Sequence, residues 1–116
     1  MRRGEIWTVA GGADYTSKAR PALIVQEDAF DATDSITVCA ITTDENDIPL
    51  FRLPVGPNER NGLNAPSWIM IDKVLTVRRT RLGTRVGQLD DVDIVRVNRA
   101  IAMFLGLASP TRRGRI

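Results

Sequence analysis

Arg20 and Pro21 head the apolar run 22–25, which sets a permanent positive charge at the mouth of what reads as a buried strand. A guanidinium is planar, always charged, and carries its donors in a rigid fork that matches phosphate and carboxylate oxygens. The proline that follows restricts Arg20 to extended backbone values and so helps to hold its direction. The chain contains no histidine, so any chemistry Arg20 serves runs without an imidazole proton shuttle. With no histidine and a single cysteine, neither a zinc site nor an internal disulfide is expected. That cysteine, Cys39, lies in the apolar stretch TVCAI and reads as a buried structural thiol.

The wider charge pattern agrees with an anionic partner. Formal net charge is only +2, yet the charges are segregated. Arg2, Arg3, Lys18 and Arg20 crowd the first fifth, Arg78, Arg79, Arg81 and Arg85 form a second cluster, and Arg112, Arg113 and Arg115 a third. Between Pro21 and Phe51 every charged side chain is acidic. Such segregation points to one face for a polyanion and another that is merely solvated. Lys18 and Lys73 are the only lysines; this suits phosphate clamping by arginine, and a GC-rich coding bias explains the ratio equally well.

These residues need a scaffold, and 116 residues suffice for one domain with a single core. Composition, 43% hydrophobic and 5% aromatic, is that of a globular chain. No apolar run approaches the roughly 18 residues of a membrane span and no signal-like segment opens the chain, so a cytoplasmic protein is expected. Alternating or apolar stretches predict strands over 5–9, 20–26, 35–42, 51–55, 67–77 (bent near Asp72) and 84–88. Residues 10–19 and 56–66 carry loop signals. From Asp90 the period changes to that of a helix, capped by Asp90 or Asp91, with Gly106 and Pro110 as stops. Residues 106–116 read as a loose tail. Short strands, long loops and one closing helix predict a mainly β fold: a small, strongly bent barrel with a C-terminal helix.

At this point GEIW at 4–7, RPALIV at 20–25, VCAITT at 38–43, SWIMIDKVLTVRRTRLG at 67–83 and VGQLDDVDIVRVNRAIAMFLGL at 86–107 resemble the MazF/PemK (also Kid) toxins of type II toxin–antitoxin modules. The resemblance runs from Gly4 to about Leu107; each block alone is common, while their order and spacing are specific. It implies an SH3-like barrel that forms a homodimer. It also implies an endoribonuclease that cuts single-stranded RNA at short sequences without metal or other cofactor, leaving 2',3'-cyclic phosphate and 5'-hydroxyl ends. A cognate antitoxin would fold a disordered segment across the site.

The same resemblance implies roles for individual residues. Arg20 is the catalytic arginine. Thr42 takes the family's threonine position, its hydroxyl donating to a phosphoryl oxygen or accepting from the 2'-hydroxyl. Thr43 points to the opposite face of a regular strand, and a bulge would exchange the two. Asp72 matches the aspartate of the Kid branch, as general base or as partner of a nearby arginine; that branch's histidine is missing and Met70 stands in place of its arginine. For RNA binding the candidates are Tyr15, Ser17 and Lys18 in the 10–19 loop, with Thr43, Ser67, Arg78, Arg79 and Arg81. Tyr15 either stacks on a base or packs on the barrel, and the three arginines either track phosphates or are simply solvated. Trp7 and Trp68 are expected in core or dimer-interface packing. Two other readings share the fold: a CcdB-like gyrase poison, disfavoured by the terminal RRGRI, and a non-catalytic SH3-like binding module.

Overall fold

The computed structural model describes residues 1–11, 19–44 and 51–108. Six strands and one helix follow in the order β1 (Glu5–Val9), β2 (Arg20–Ile24), β3 (Ser35–Thr42), β4 (Arg52–Val55), β5 (Ser67–Arg78), β6 (Leu82–Gln88) and α1 (Asp91–Phe104). Two short 3-10 turns, Asp28–Phe30 and Arg79–Arg81, were not legible from periodicity.

All six strands form one antiparallel sheet in the order β4-β5-β3-β2-β1-β6. The fold is thus mainly β with a C-terminal helix, as expected, but the hydrogen-bonded ladder is not closed into a barrel: β4 and β6 remain its two ends. Edge strand β4 is four residues long and contains Pro54, which has no amide hydrogen to offer a further ladder. The 56–66 loop meets β6 instead, the Gln88 amide donating to the Arg60 carbonyl at 2.9 Å.

Alternation along the strands fills both faces. On one, Ile6, Leu23, Cys39, Ile41, Ile69, Ile71 and Leu89 pack with Val97 of α1. On the other, Ala22, Ile24, Ile36, Val38 and Val77 pack beneath Trp7, Val9 and Leu82. Cys39 is fully buried, as its apolar setting predicted. Strand β5 serves both clusters because it bends. Ile41 pairs with Ile69 and Cys39 with Val74, so three extra residues of β5 bulge out between the two pairs. Asp72 lies within that bulge, where the bend was expected.

Helix α1 ends in a Schellman arrangement. Gly106 takes φ +76°, the Leu107 amide donates to the Ala102 carbonyl at 2.7 Å, and that of Gly106 to Met103 at 3.1 Å. At the other end Asp90 sits at the N-cap position, but its side chain does not cap. It accepts from Asn58 Nδ2 at 3.1 Å, tying the helix start to the 56–66 loop. Among the described residues no helix is long and apolar enough to cross a membrane.

Candidate active site

Arg20 is the first residue of β2, opposite Val9 of β1, and its side chain is solvent-exposed. It stands between two depressions. One, of about 300 Å³, is largely apolar, with Val9, Ala22, Val38, Ala40 and Leu75 as walls and Arg81 at its edge. The other, of about 330 Å³, is also mostly apolar in surface but carries more polar groups: Thr8, Thr43, Asn64 and Ser67 border it, with the backbone of Gly62–Ala65 on one side. Among the described residues, Arg20 is the only ionised side chain on that second wall. A permanent cation beside neutral hydroxyls and an amide is suited to an anion.

The hydroxyls in and near this cleft differ in availability. Ser67 is buried and donates to the Ala65 carbonyl at 2.9 Å, so it braces the loop. Thr8 Oγ1 accepts the Thr84 amide at 2.8 Å. Thr43 is exposed on the cleft wall, and among the described residues its hydroxyl has no partner. Thr42 is not on that wall; its Oγ1 accepts the Asp44 amide at 3.0 Å. A ladder continued in register from the Ala22–Ala40 pair would set Thr42 opposite Arg20, but the recorded pairs of β2 with β3 stop there and Thr42 pairs with Trp68 on its other side. Thr43 thus shares the cleft wall with Arg20, and Thr42 does not line it.

Asp72 lies apart from this cleft. Its carboxylate accepts from Arg52 Nε at 2.9 Å and Nη2 at 3.4 Å, and the Arg52 guanidinium holds its pKa below the usual carboxylate value. Of the two roles open to Asp72 from sequence, the geometry matches the arginine partner.

The second basic cluster splits. Arg81 reaches the apolar depression beside Arg20, with Nη2 donating to the Ala10 carbonyl at 2.6 Å. Arg78 and Arg79 line a different depression with Thr33, Asp34, Ser35 and Thr80, which shares no residue with either side of Arg20. Arg79 is engaged there with the Thr33 carbonyl and Met1 Sδ, whereas Arg78 is exposed. Tyr15, Ser17 and Lys18 lie outside the described residues.

Sequence reasoning missed Asn64, because 56–66 reads as generic turn chemistry. The available signal was an asparagine-rich loop running directly into Ser67.

Comparison with known proteins bears on this arrangement. Residues 2–105 match the family described as PemK-like, MazF-like toxin of type II toxin-antitoxin system. The chain is 51% identical over 108 residues to a probable endoribonuclease MazF of Mycolicibacterium smegmatis, covering 93% of this chain and 99% of that relative. Among solved structures, it is similar to a mycobacterial endoribonuclease in complex with its cognate antitoxin: TM-score 0.78, 26% identity, 95% of this chain and 99% of that one. It is also similar to the Mycobacterium tuberculosis toxin MazF-mt6, with TM-score 0.70 and 28% identity over 89% of this chain and 99% of that one.

Proposed function

The chain belongs to the PemK-like, MazF-like toxin family of type II toxin–antitoxin systems, and from that premise we propose that it cuts single-stranded RNA at the cleft headed by Arg20, by a metal-independent transfer to a 2'-hydroxyl. In that step the bond from the 2'-oxygen to phosphorus forms while the bond from phosphorus to the 5'-oxygen breaks. The 2'-hydroxyl gives up its proton and the leaving oxygen gains one, so the products carry a 2',3'-cyclic phosphate and a 5'-hydroxyl.

The observation that carries this reading is that Arg20, without a charged neighbour among the described lining residues, shares one cleft with the Thr43 hydroxyl. Negative charge grows on the phosphoryl oxygens as the 2'-oxygen attacks, and a fixed guanidinium fork stabilises that charge more than the ground state. Thr43 supplies a second donor to the same oxygens. The strand pairing of Arg20 with Val9 and the proline that follows hold its backbone in place before RNA arrives.

The open sheet with its helix is read as an SH3-like fold that works as a homodimer in the cytoplasm, where its RNA is. Exposed Val74 and Leu75 on β5 and Phe104 and Leu105 at the end of α1 supply apolar surface for pairing. A cognate antitoxin, as seen on the similar mycobacterial endoribonuclease, would neutralise the toxin with a segment both acidic and apolar. Such a segment meets Arg20 and Arg81 with its charge and the adjoining depression with its side chains.

The test is mixed-sequence RNA in EDTA, with the purified protein beside Arg20→Ala and the new ends typed chemically. Cyclic phosphate and 5'-hydroxyl ends at one short motif, lost in the variant, are expected. Intact RNA from folded protein would overturn the reading in favour of a binding module.

A further inference from the structure

The loop 56–66 is built around a residue that touches no solvent. Asn61 is 0% exposed. Its Oδ1 accepts the amides of Asn58 at 3.0 Å and Leu63 at 2.9 Å, and its Nδ2 donates to the Gly56 carbonyl at 2.9 Å. Asn58 answers by accepting the Asn61 amide at 2.8 Å. Ser67 fixes the far end through the Ala65 carbonyl. Backbone groups are thus held on both sides of Asn64, at Leu63 and at Ala65.

Asn64 itself is exposed on the cleft wall that holds Arg20 and Thr43. Among the described residues its amide makes no hydrogen bond. The three asparagines of the loop differ: Asn58 and Asn61 are committed to loop structure, whereas Asn64 is left facing the cleft. A carboxamide presents one donor side and one acceptor side in a plane, the pattern needed to pair with two adjacent groups on a base edge. Single-stranded RNA exposes those edges, and reading them is how proteins recognise unpaired RNA by sequence. A reader mounted on a rigid loop loses little freedom when it binds, which favours selectivity.

We infer that Asn64 is a specificity-determining residue, which reads by its side-chain amide the edge of one base flanking the phosphate held by Arg20. This rests on the nuclease reading above and adds a residue and a task to it. Arg20 contacts a group common to every nucleotide and carries no sequence information; Asn64 contacts one that differs between bases.

The experiment uses full-length protein on an RNA pool randomised around the scissile bond, with the cut positions sequenced, for wild type, Asn64→Ala and Asn64→Asp. Thermal midpoints serve as the check on folding, and an exposed side chain without internal contacts predicts that all three fold. In Asn64→Ala the preference for one base should fall roughly five- to 150-fold at a single position, while preferences elsewhere persist. Asn64→Asp, which only accepts, should shift that same position toward bases presenting donors. An unchanged motif in both folded variants would overturn the assignment while leaving the nuclease reading intact. Absence of cleavage by wild type would overturn both.

Discussion

Arg52 grips Asp72 across the β4–β5 pairing, through Nε at 2.9 Å and Nη2 at 3.4 Å, with the arginine side chain only 10% exposed. This pair joins the short edge strand to the bulge that lets β5 serve both faces of the sheet. The hydrogen bonds from Arg52 lower the Asp72 pKa beneath its ordinary 3.8. A carboxylate made more acidic in this way is a weaker proton acceptor, which fits a brace better than a base. Asp72→Asn should cost about 1.5–3 kcal/mol of stability, the worth of hydrogen bonds to a charged group, and leave cleavage intact. A rate loss as large as that of Arg20→Ala would instead make Asp72 the base.

The same pair predicts a pH dependence with a definite sign. A carboxyl whose folded pKa is depressed contributes its full stability above the unfolded value and loses it as pH falls through the lower, folded one. The stability gap between wild type and Asp72→Asn should therefore be constant at neutral pH and close below about pH 4. Urea midpoints across that range measure it; a gap that widens in acid would contradict the pairing.

Arg20→Ala should lower the initial cleavage rate in EDTA by a factor on the order of 10² to 10³, the usual effect of removing one preorganised donor to a developing oxyanion. Because Arg20 is exposed, its thermal midpoint should not move. Arg20→Lys keeps charge but not the fork, and should recover only part of the loss.

The two adjacent threonines should separate cleanly. Thr43→Ala removes a hydroxyl free to meet the phosphoryl oxygens and should cost roughly tenfold to a hundredfold in rate. Thr42→Ala removes the acceptor of the Asp44 amide, and its effect should fall on the local turn and on stability. Initial rates and melting midpoints of both variants decide the matter. The reverse pattern would assign the role to Thr42.

These cases show what the sequence could express. Strand spans and the helix were legible because alternation and helical period survive in side-chain type: Ile36 and Val38 face one way, Cys39 and Ile41 the other. Which of Thr42 and Thr43 lines the cleft with Arg20 was not, because it turns on where the β2–β3 ladder stops, which neither residue's type encodes. The Arg52–Asp72 contact depends on register between strands separated by an eleven-residue loop. Barrel closure was over-read: six strands fit one, but Pro54 and the brevity of β4 left the sheet ending at its edge strand. Asn64 was hidden among loop asparagines, whose different duties appear only once their partners are known.

Cys39 should be chemically silent in the folded protein. It is fully buried, and burial pushes its thiol up to about 11, so almost no thiolate exists at pH 8. Labelling by a disulfide reagent, followed by mass spectrometry, should wait for unfolding and be complete in denaturant. Rapid labelling of native protein would mean that this part of the sheet opens far more readily than its packing implies.

The loop that carries Asn64 should be sensitive to single methyl groups placed behind it. A Cβ on Gly87 would lie 2.4 Å from the Asn61 carbonyl carbon and oxygen and 2.6 Å from the Arg60 oxygen. All three are backbone atoms, so the loop itself must shift. Gly62 has φ +69°, and its Cβ would come within 2.1 Å of the Val86 carbonyl oxygen. Gly56, in the same loop, has open space around it. Gly87→Ala and Gly62→Ala should each cost about 1–3 kcal/mol, and Gly56→Ala should be close to neutral. Displacing the loop also moves Asn64 relative to Arg20, so the first two variants should blur the cleavage motif at the position Asn64 reads. Urea midpoints and sequenced cut sites, taken on the same preparations, test both halves. A destabilised Gly87→Ala with an unaltered motif would show that the loop does not carry the reader.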